Sequence, residues 1–271
     1  MNGSFRMLAM FTPDQRTRLR SDLLEFATHD RRISGAAITG SGAANGEDKW
    51  SDVDLAFGLV DPADQPGALA DWTSYMYEKH TALHHLDVIA GLWTYRVFLL
   101  PGALQVDLAF VQATEFRPLA PSFRLVFGTA NEPRSFPPPT PDSIIGLGWL
   151  YALHARSCIA RMRLWQAEHM ISGVRDHALA LACIRYGLPA VHGRGIDRLP
   201  AELTAQFEGA LVQQMSTAEL SRALRVALER FRTEVQAADE KLGERLQDTL
   251  ASLSEELRQQ PIAPPISEQR Q

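Results

Sequence analysis

Residues 38–57 constrain the fold of this chain more than any other segment. An apolar run ends there in Gly40-Ser41, and after ten intervening residues a second apolar run begins with Asp52-Val53-Asp54. This pattern predicts a strand, a turn and a second strand. Side chains at positions i and i+2 of a strand point to the same side, so Asp52 and Asp54 are expected to stand next to each other. Two adjacent carboxylates repel unless a cation lies between them.

The turn and the two carboxylates together indicate a class of chemistry. Paired carboxylate oxygens suit Mg²⁺, which proteins bind through one or two carboxylates plus substrate phosphates. Gly40 and Ser41 offer backbone N–H groups and a hydroxyl to such phosphates. The segment therefore predicts a metal-dependent enzyme that acts on a nucleoside triphosphate.

A third carboxylate interrupts another apolar run. Asp107 is the charged residue of segment 104–110, and a charge in such a strand is costly unless it is paired or bound to a metal. We expect Asp107 to join Asp52 and Asp54 around the metal; the alternative is a solvated aspartate at a strand edge. Asp87, on an earlier apolar run, is a rival for the third position.

Composition limits the range of functions. The chain has 271 residues, enough for two modest domains. Its net charge of −5 provides no general basic field, which counts against a template-dependent polymerase and other nucleic-acid binding. There is no signal-like or membrane-length apolar run, and Cys158 and Cys183 fit reduced core positions, so we expect a cytoplasmic protein without membrane partners.

The first half of the chain has the pattern of a small α/β domain with a mixed sheet, over residues 1–112. Thr12-Pro13-Asp14-Gln15 is typical of a capping box that begins a helix, and Pro101-Gly102 is typical of a hairpin turn. Helices are predicted at 12–28 and 68–80, and strands at 36–39, 53–60, 86–90, 95–100 and 104–111.

The second half has helical periodicity. Residues 113–141 are read as a proline-rich connection with one strand at 123–127, and residues 259–271 as a disordered tail. Residues 142–258 predict a helical bundle, with helices at 142–156, 158–186, 200–214 and 217–256 and with breaks allowed near Gly173 and Gly243. The predicted fold class is α+β, a small mixed-sheet domain followed by an all-α bundle.

Gly40-Ser41, Asp52-x-Asp54 and the later Asp107 resemble the signature of the polymerase-beta-like nucleotidyltransferase superfamily. The resemblance covers about residues 12–112, and it implies transfer of a nucleotidyl group from a triphosphate to a hydroxyl with release of pyrophosphate. By this resemblance Gly40 and Ser41 bind the triphosphate and Asp52 and Asp54 hold two Mg²⁺ ions. Asp107 completes one metal site and faces the acceptor hydroxyl.

The arrangement of one such domain and a helical bundle is similar to antibiotic adenylyltransferases that act on aminoglycosides or lincosamides. This narrower resemblance implies ATP, or another nucleoside triphosphate, as donor and a small hydroxylated acceptor. The identity of the acceptor, the preferred nucleotide and the choice between monomer and homodimer stay open.

The helical half adds further candidates. Trp165, Glu168, Ser172 and Arg175 follow a spacing of three and four residues and share one helix face. We expect Glu168 to bind a cationic acceptor or to act as the general base in place of Asp107, and Arg175 to bind phosphate. The alternative is an exposed helix face with Glu168 and Arg175 in local ion pairs and Trp165 partly buried.

Arg163 and His169 support a second functional hypothesis. With five residues between them, they resemble the R-x(4–6)-H pattern of the HEPN ribonuclease family. Members of that family partner small nucleotidyltransferases. In this alternative the chain is a regulatory protein of the toxin–antitoxin type that nucleotidylates a partner protein.

Overall fold

The computed structural model describes residues 10–134 and 139–259, and the chain divides into two compact units at residues 136 and 137. The first unit contains a mixed six-stranded sheet and the second consists of helices. This confirms the predicted α+β fold class. The predicted disordered tail lies outside the described residues, apart from Gln259 at the end of the last helix.

The first unit contains every strand that the sequence predicts. The strand order is β3-β4-β5-β2-β1-β6, and β2 and β5 are the parallel neighbours in an otherwise antiparallel arrangement. The elements are α1 (Pro13–His29), β1 (Ile33–Thr39), α2 (Gly40–Ala43), β2 (Val53–Leu59), α3 (Gln65–His80), β3 (His84–Ala90), β4 (Trp93–Leu100), β5 (Leu104–Gln112) and β6 (Phe123–Gly128).

Helix α1 begins at the predicted capping box. The Thr12 hydroxyl accepts from the Gln15 backbone N–H at 3.2 Å, and the Gln15 side chain accepts from the Thr12 N–H at 2.8 Å. These two bonds satisfy backbone donors that the first turn of a helix leaves without a partner. Leu19 and Leu23, four residues apart on α1, are buried.

One face of the sheet carries the main core of this unit. Helices α1 and α3 pack on that face, and Trp72 of α3 contacts the rings of Phe57 and Phe110 from the strands. Residues 53, 55, 57 and 59 of β2 point into this core, as do residues 106, 108 and 110 of β5. Because strand side chains alternate, the residues between them point to the opposite face.

Strand β6 lies within residues 113–141, which the sequence pattern assigns to the connection. In the structure it pairs antiparallel with β1, from Gly35 opposite Gly128 to Thr39 opposite Phe123. The Phe116 ring packs on the paired glycines Gly35 and Gly58, where a Cβ atom would lie 3.0 and 2.9 Å from the ring. The prolines conceal this long-range pairing from a local pattern. The first unit therefore extends beyond residue 112.

The second unit is built from five α-helices in its described part. They are α4 (Pro141–Ala160), α5 (Leu164–Arg185), α6 (Ala201–Ala205), α7 (Thr217–Ala238) and α8 (Glu240–Gln259). The predicted helix 200–214 is shortened to α6, followed by a 3₁₀ turn at Glu208–Ala210. The predicted long last helix is divided at Asp239, whose carboxylate accepts from the Leu242 N–H at 2.9 Å and so caps α8.

Three glycines in these helices allow close packing. Of the two breaks predicted near glycines, the one near Gly243 occurs four residues earlier, at Asp239, and the one near Gly173 does not occur. Helix α5 continues through Gly173, where a Cβ atom would lie 2.5 Å from the ring of Tyr151 on α4. A Cβ atom at Gly148 would lie 2.3 Å from the buried ring of Phe231 on α7. At Gly243, a Cβ atom would lie 2.9 Å from the Cα atom of Gln236. The missing side chains allow neighbouring helices to approach one another.

Two further expectations concern the surroundings of the protein. Cys158 and Cys183 are free thiols buried in the core of the helical unit. Within residues 10–134 and 139–259, no helix combines the length and apolar character needed to cross a bilayer. The cytoplasmic location stays a prediction.

Replacing Gly148 with alanine tests the packing of α4 on α7. The added methyl group would overlap the Phe231 ring, so we expect the free energy of unfolding to fall by about 1–3 kcal/mol. Gly146 on the same helix is the matched control, because open space surrounds its Cβ position. Gly146→Ala should raise stability by about 0.5–1 kcal/mol through helix propensity. Chemical denaturation measures both; equal effects would contradict the packing.

Candidate metal-binding site

The carboxylates predicted from the sequence come together on one face of the sheet. The parallel register of β2 and β5 places Asp54 directly beside Asp107. Both point away from the main core, and Asp52 lies just before β2. One oxygen from each of Asp52, Asp54 and Asp107 can be chosen so that all three lie within 4.8 Å of one another. The three residues form a group that could hold a metal ion.

Asp107 lies in an environment that disfavours its charge. Burial, and to a smaller extent the neighbouring charge of Asp52, raises the pKa of Asp107 above its ordinary value. The Gln105 side chain opposes this rise by donating a hydrogen bond to the carboxylate at 2.9 Å. Close, half-buried oxygen ligands of like charge fit a hard divalent cation, which would offset both burial and repulsion.

Gly40 contacts this group directly. Its φ angle is +60°, and a Cβ atom on it would lie 2.0 Å from an oxygen of Asp54. A side chain at position 40 would therefore displace the carboxylate as well as strain the backbone. The neighbouring Ser41 hydroxyl is buried and has no hydrogen-bond partner among the described residues. Binding of phosphate by these two residues stays a prediction.

A buried arginine anchors the loop that leads from this turn to the carboxylates. Arg16 of α1 is 3% exposed, and its guanidinium donates to the backbone carbonyls of Asp48 at 2.5 Å and Ser51 at 3.1 Å. Its Nε atom lies 3.2 Å from Glu47, whose carboxylate also accepts from Arg20 at 2.5 Å. We call Arg16, Arg20 and Glu47 the loop clamp.

The loop clamp fixes the backbone immediately before Asp52. The Asp48 side chain adds a turn of its own, because it accepts from the Trp50 N–H at 2.8 Å and from the Ser51 hydroxyl at 3.1 Å. The sequence pattern does not predict this arrangement. The spacing of Arg16 and Arg20, i and i+4 on a predicted helix, indicates that the two side chains share one helix face. It does not indicate that the loop folds back onto them.

The rival carboxylate Asp87 lies elsewhere. The register of β3 and β4 pairs it with Arg96, which donates two hydrogen bonds of 2.7 Å to its carboxylate. These bonds lower the pKa of Asp87. Arg96 also donates to Leu69 and Thr73 of α3, so the ion pair is on the main-core face. The structure places Asp87 on the face opposite Asp107.

The candidates of the helical unit make local contacts. Glu168 accepts from the Ser172 hydroxyl at 2.8 Å, and Arg175 forms an ion pair with Asp176 at 2.9 Å. Trp165 is 78% exposed. The local contacts of Glu168 and Arg175 agree with the alternative of an exposed helix face, but the exposure of Trp165 differs from the partial burial expected there. The roles of Glu168 as base and Arg175 as phosphate ligand stay predictions.

Arg163 and His169 are both exposed, at the start and within the first turns of α5. The His169 ring lies 6.5 Å from the ring of Tyr151, measured between centroids. The structure describes no contact that gives the pair a ribonuclease function, and the HEPN resemblance stays a prediction.

Comparisons with known proteins leave the family open. No protein-family model and no curated protein sequence matches the chain. Among solved structures it is similar to an aminoglycoside 6-adenyltransferase from Bacillus subtilis, with 12% identity, coverage of 90% of this chain and 99% of that chain, and a TM-score of 0.37. A similarity at this TM-score does not indicate a function for this chain.

Gly40→Ala tests the contact between the turn and the carboxylates. Because the new methyl group would displace the Asp54 carboxylate, we expect the affinity for Mn²⁺ to fall by at least about tenfold. Electron paramagnetic resonance titration measures it. Gly46→Ala is the matched control, because open space surrounds that loop glycine. Unchanged Mn²⁺ affinity in a folded Gly40→Ala protein would rule out the contact as described.

Arg16→Met tests the loop clamp. Losing the guanidinium leaves the carbonyls of Asp48 and Ser51 without their donor, which costs about 1–3 kcal/mol. We expect a lysine-specific protease to cleave after Lys49 at least about fivefold faster. Arg18→Met, at an exposed position on the same helix, is the control. Equal cleavage rates in the two variants would show that Arg16 does not hold the loop.

Proposed function

We propose that this protein is a Mg²⁺-dependent nucleotidyltransferase. It moves a nucleoside monophosphate, AMP from ATP in the first instance, to a hydroxyl of a small acceptor and releases pyrophosphate. The observation that carries the proposal is the pairing of Asp54 with Asp107, with Asp52 beside them and Gly40 against Asp54. The resemblance of these residues to the superfamily signature supports the same reaction.

The chain's own residues divide the work of the reaction. Asp52, Asp54 and Asp107 would hold the metal, and Gly40 and Ser41 would donate hydrogen bonds to phosphate oxygens. When bound, Mg²⁺ would neutralise charge on the phosphates and lower the pKa of the attacking hydroxyl. The loop clamp keeps Asp52 in place, since rigid positioning accounts for much of the rate in phosphoryl and nucleotidyl transfer.

The transfer is a single substitution at phosphorus. The acceptor oxygen forms a bond to the α-phosphorus as the bond to the pyrophosphate oxygen breaks. Asp107 is the first candidate to accept the hydroxyl proton, because its carboxylate belongs to the group that would hold the metal and so lies beside the reacting atoms. Glu168 is the second candidate for this role. Pyrophosphate leaves with the electron pair of the broken bond.

The acceptor is proposed to be an antibiotic of the aminoglycoside or lincosamide kind, modified in the cytoplasm, where ATP is available. Modification of such a compound would confer resistance. The net charge of −5 suits a cationic or neutral acceptor better than a nucleic acid.

Labelled ATP tests this proposal directly. The protein is incubated with Mg²⁺, ATP labelled at the α-phosphate and a panel of antibiotics, and the products are separated by chromatography. We expect label on a small molecule together with released pyrophosphate. Label that appears on protein alone would instead favour the toxin–antitoxin alternative.

Asp52→Asn and Asp54→Asn test the carboxylates. Each removes a charge from the group of three, so we expect transfer to be abolished while the thermal unfolding temperature stays the same or rises. Asp22→Asn, on the exposed side of α1, is the matched control and should keep full activity. Turnover retained by either site variant would refute the metal assignment.

A further inference from the structure

The row of side chains that contains the carboxylates continues across the sheet. Asp54 on β2 pairs with Asp107 on β5, Asp107 pairs with Val97 on β4, and Val97 pairs with Leu86 on β3. Directly opposed residues in a sheet point to the same side, with Cβ atoms about 4.5–5.5 Å apart. The row therefore runs from two carboxylates straight onto two apolar side chains.

The neighbouring rows make this surface wider. Tyr95 pairs with Val88 on one side of the row, and Leu99 pairs with His84 on the other. We call the five apolar and aromatic residues of β3 and β4 on this face the apolar shelf: Leu86, Val88, Tyr95, Val97 and Leu99.

The apolar shelf is exposed to solvent beside the group of three carboxylates. Leu86, Val88 and Leu99 are 51%, 46% and 47% exposed, and Tyr95 and Val97 are partly buried. A contiguous patch of exposed apolar side chains is typical of a surface that binds a ligand or another protein. Its position next to Asp107 indicates that the bound molecule reaches the metal group.

The charges of these strands are on the other face. Asp87 and Arg96 pair with each other on the face that packs against α3, and His85 on that face contacts the Tyr77 hydroxyl at 3.0 Å. Among the residues of β3 (His84–Ala90) and β4 (Trp93–Leu100) that point to the shelf face, there is no aspartate or glutamate. The adjoining carboxylates, Asp54 and Asp107, would be engaged by the metal, so a polycation would find no further anionic partner on β3 or β4.

We propose that the apolar shelf seats the acceptor, and that the acceptor is a hydroxylated molecule with an apolar flank instead of a polycation. The inference rests on the proposed function, because it takes the metal group as the reacting centre. An apolar flank lying on Val97 and Leu86 brings a hydroxyl at its edge next to Asp107, one strand away.

Calorimetric titration tests the proposal without turnover. The protein is loaded with Mg²⁺ and the α,β-methylene analogue of ATP, then titrated with lincomycin, which carries an apolar flank and one basic nitrogen, or with the polycation kanamycin. We expect lincomycin to bind more tightly. The double variant Leu86→Ser/Leu99→Ser should weaken its binding by at least about tenfold, because apolar contact area is lost.

Ile89→Ser is the matched control. Ile89 is on the same strand as Leu86 and is 65% exposed, but it points to the opposite face. We expect it to leave lincomycin binding unchanged, and both variants to keep the affinity for the ATP analogue. Since all three positions are exposed, the substitutions should not affect folding, which circular dichroism verifies.

Several results would overturn the proposal. These are tighter binding of kanamycin, binding of neither compound, or lincomycin affinity unaffected by the double variant. Sedimentation of the double variant addresses a different occupant: a dimer that it converts to monomer, with acceptor binding unchanged, would make the shelf an interface between copies. Failure of the proposed function is separate, because it would appear as absent Mg²⁺-dependent pyrophosphate release with every acceptor.

Discussion

The parallel pairing of β2 with β5 is the contact on which the rest of the site depends. It brings Asp54 and Asp107, which are far apart in sequence, to the same level of the sheet. The alternation of strand side chains then decides the two faces, one filled by α1 and α3 and the other open at the carboxylates. A shift of one residue in this register would bury Asp107 in the core and remove the site.

Because adjacent carboxylates repel one another, the residues around them must hold them rigidly in place. Gly40 packs on Asp54 without a side chain, and Arg16 binds the carbonyl oxygens of the loop before Asp52. Gln105 donates a hydrogen bond to Asp107 from the same face of β5. These contacts use residues that carry no metal-binding chemistry of their own. They explain how the group can be preorganised for a cation before one binds.

The sequence predicts those parts of this structure that local patterns determine. The capping box at Thr12, the strands around Asp54 and Asp107 and the helical second half all follow from periodicity and turn residues. Local patterns do not predict the long-range contacts. These are the pairing of β6 with β1 and the folding of the 44–51 loop onto Arg16. The break predicted near Gly173 is wrong because glycine is favoured both at helix breaks and at close helix contacts. Only the position of the Tyr151 ring shows that Gly173 is a close contact.

The central claim is that Asp52, Asp54 and Asp107 hold a divalent cation at the place of nucleotidyl transfer. Crystals grown with Mn²⁺ and the α,β-methylene analogue of ATP would test it most directly, through the anomalous scattering of manganese. The account predicts an anomalous peak within bonding distance of oxygens from these carboxylates, with the triphosphate beside Gly40. Manganese bound elsewhere, or a nucleotide bound away from the carboxylates, would contradict it.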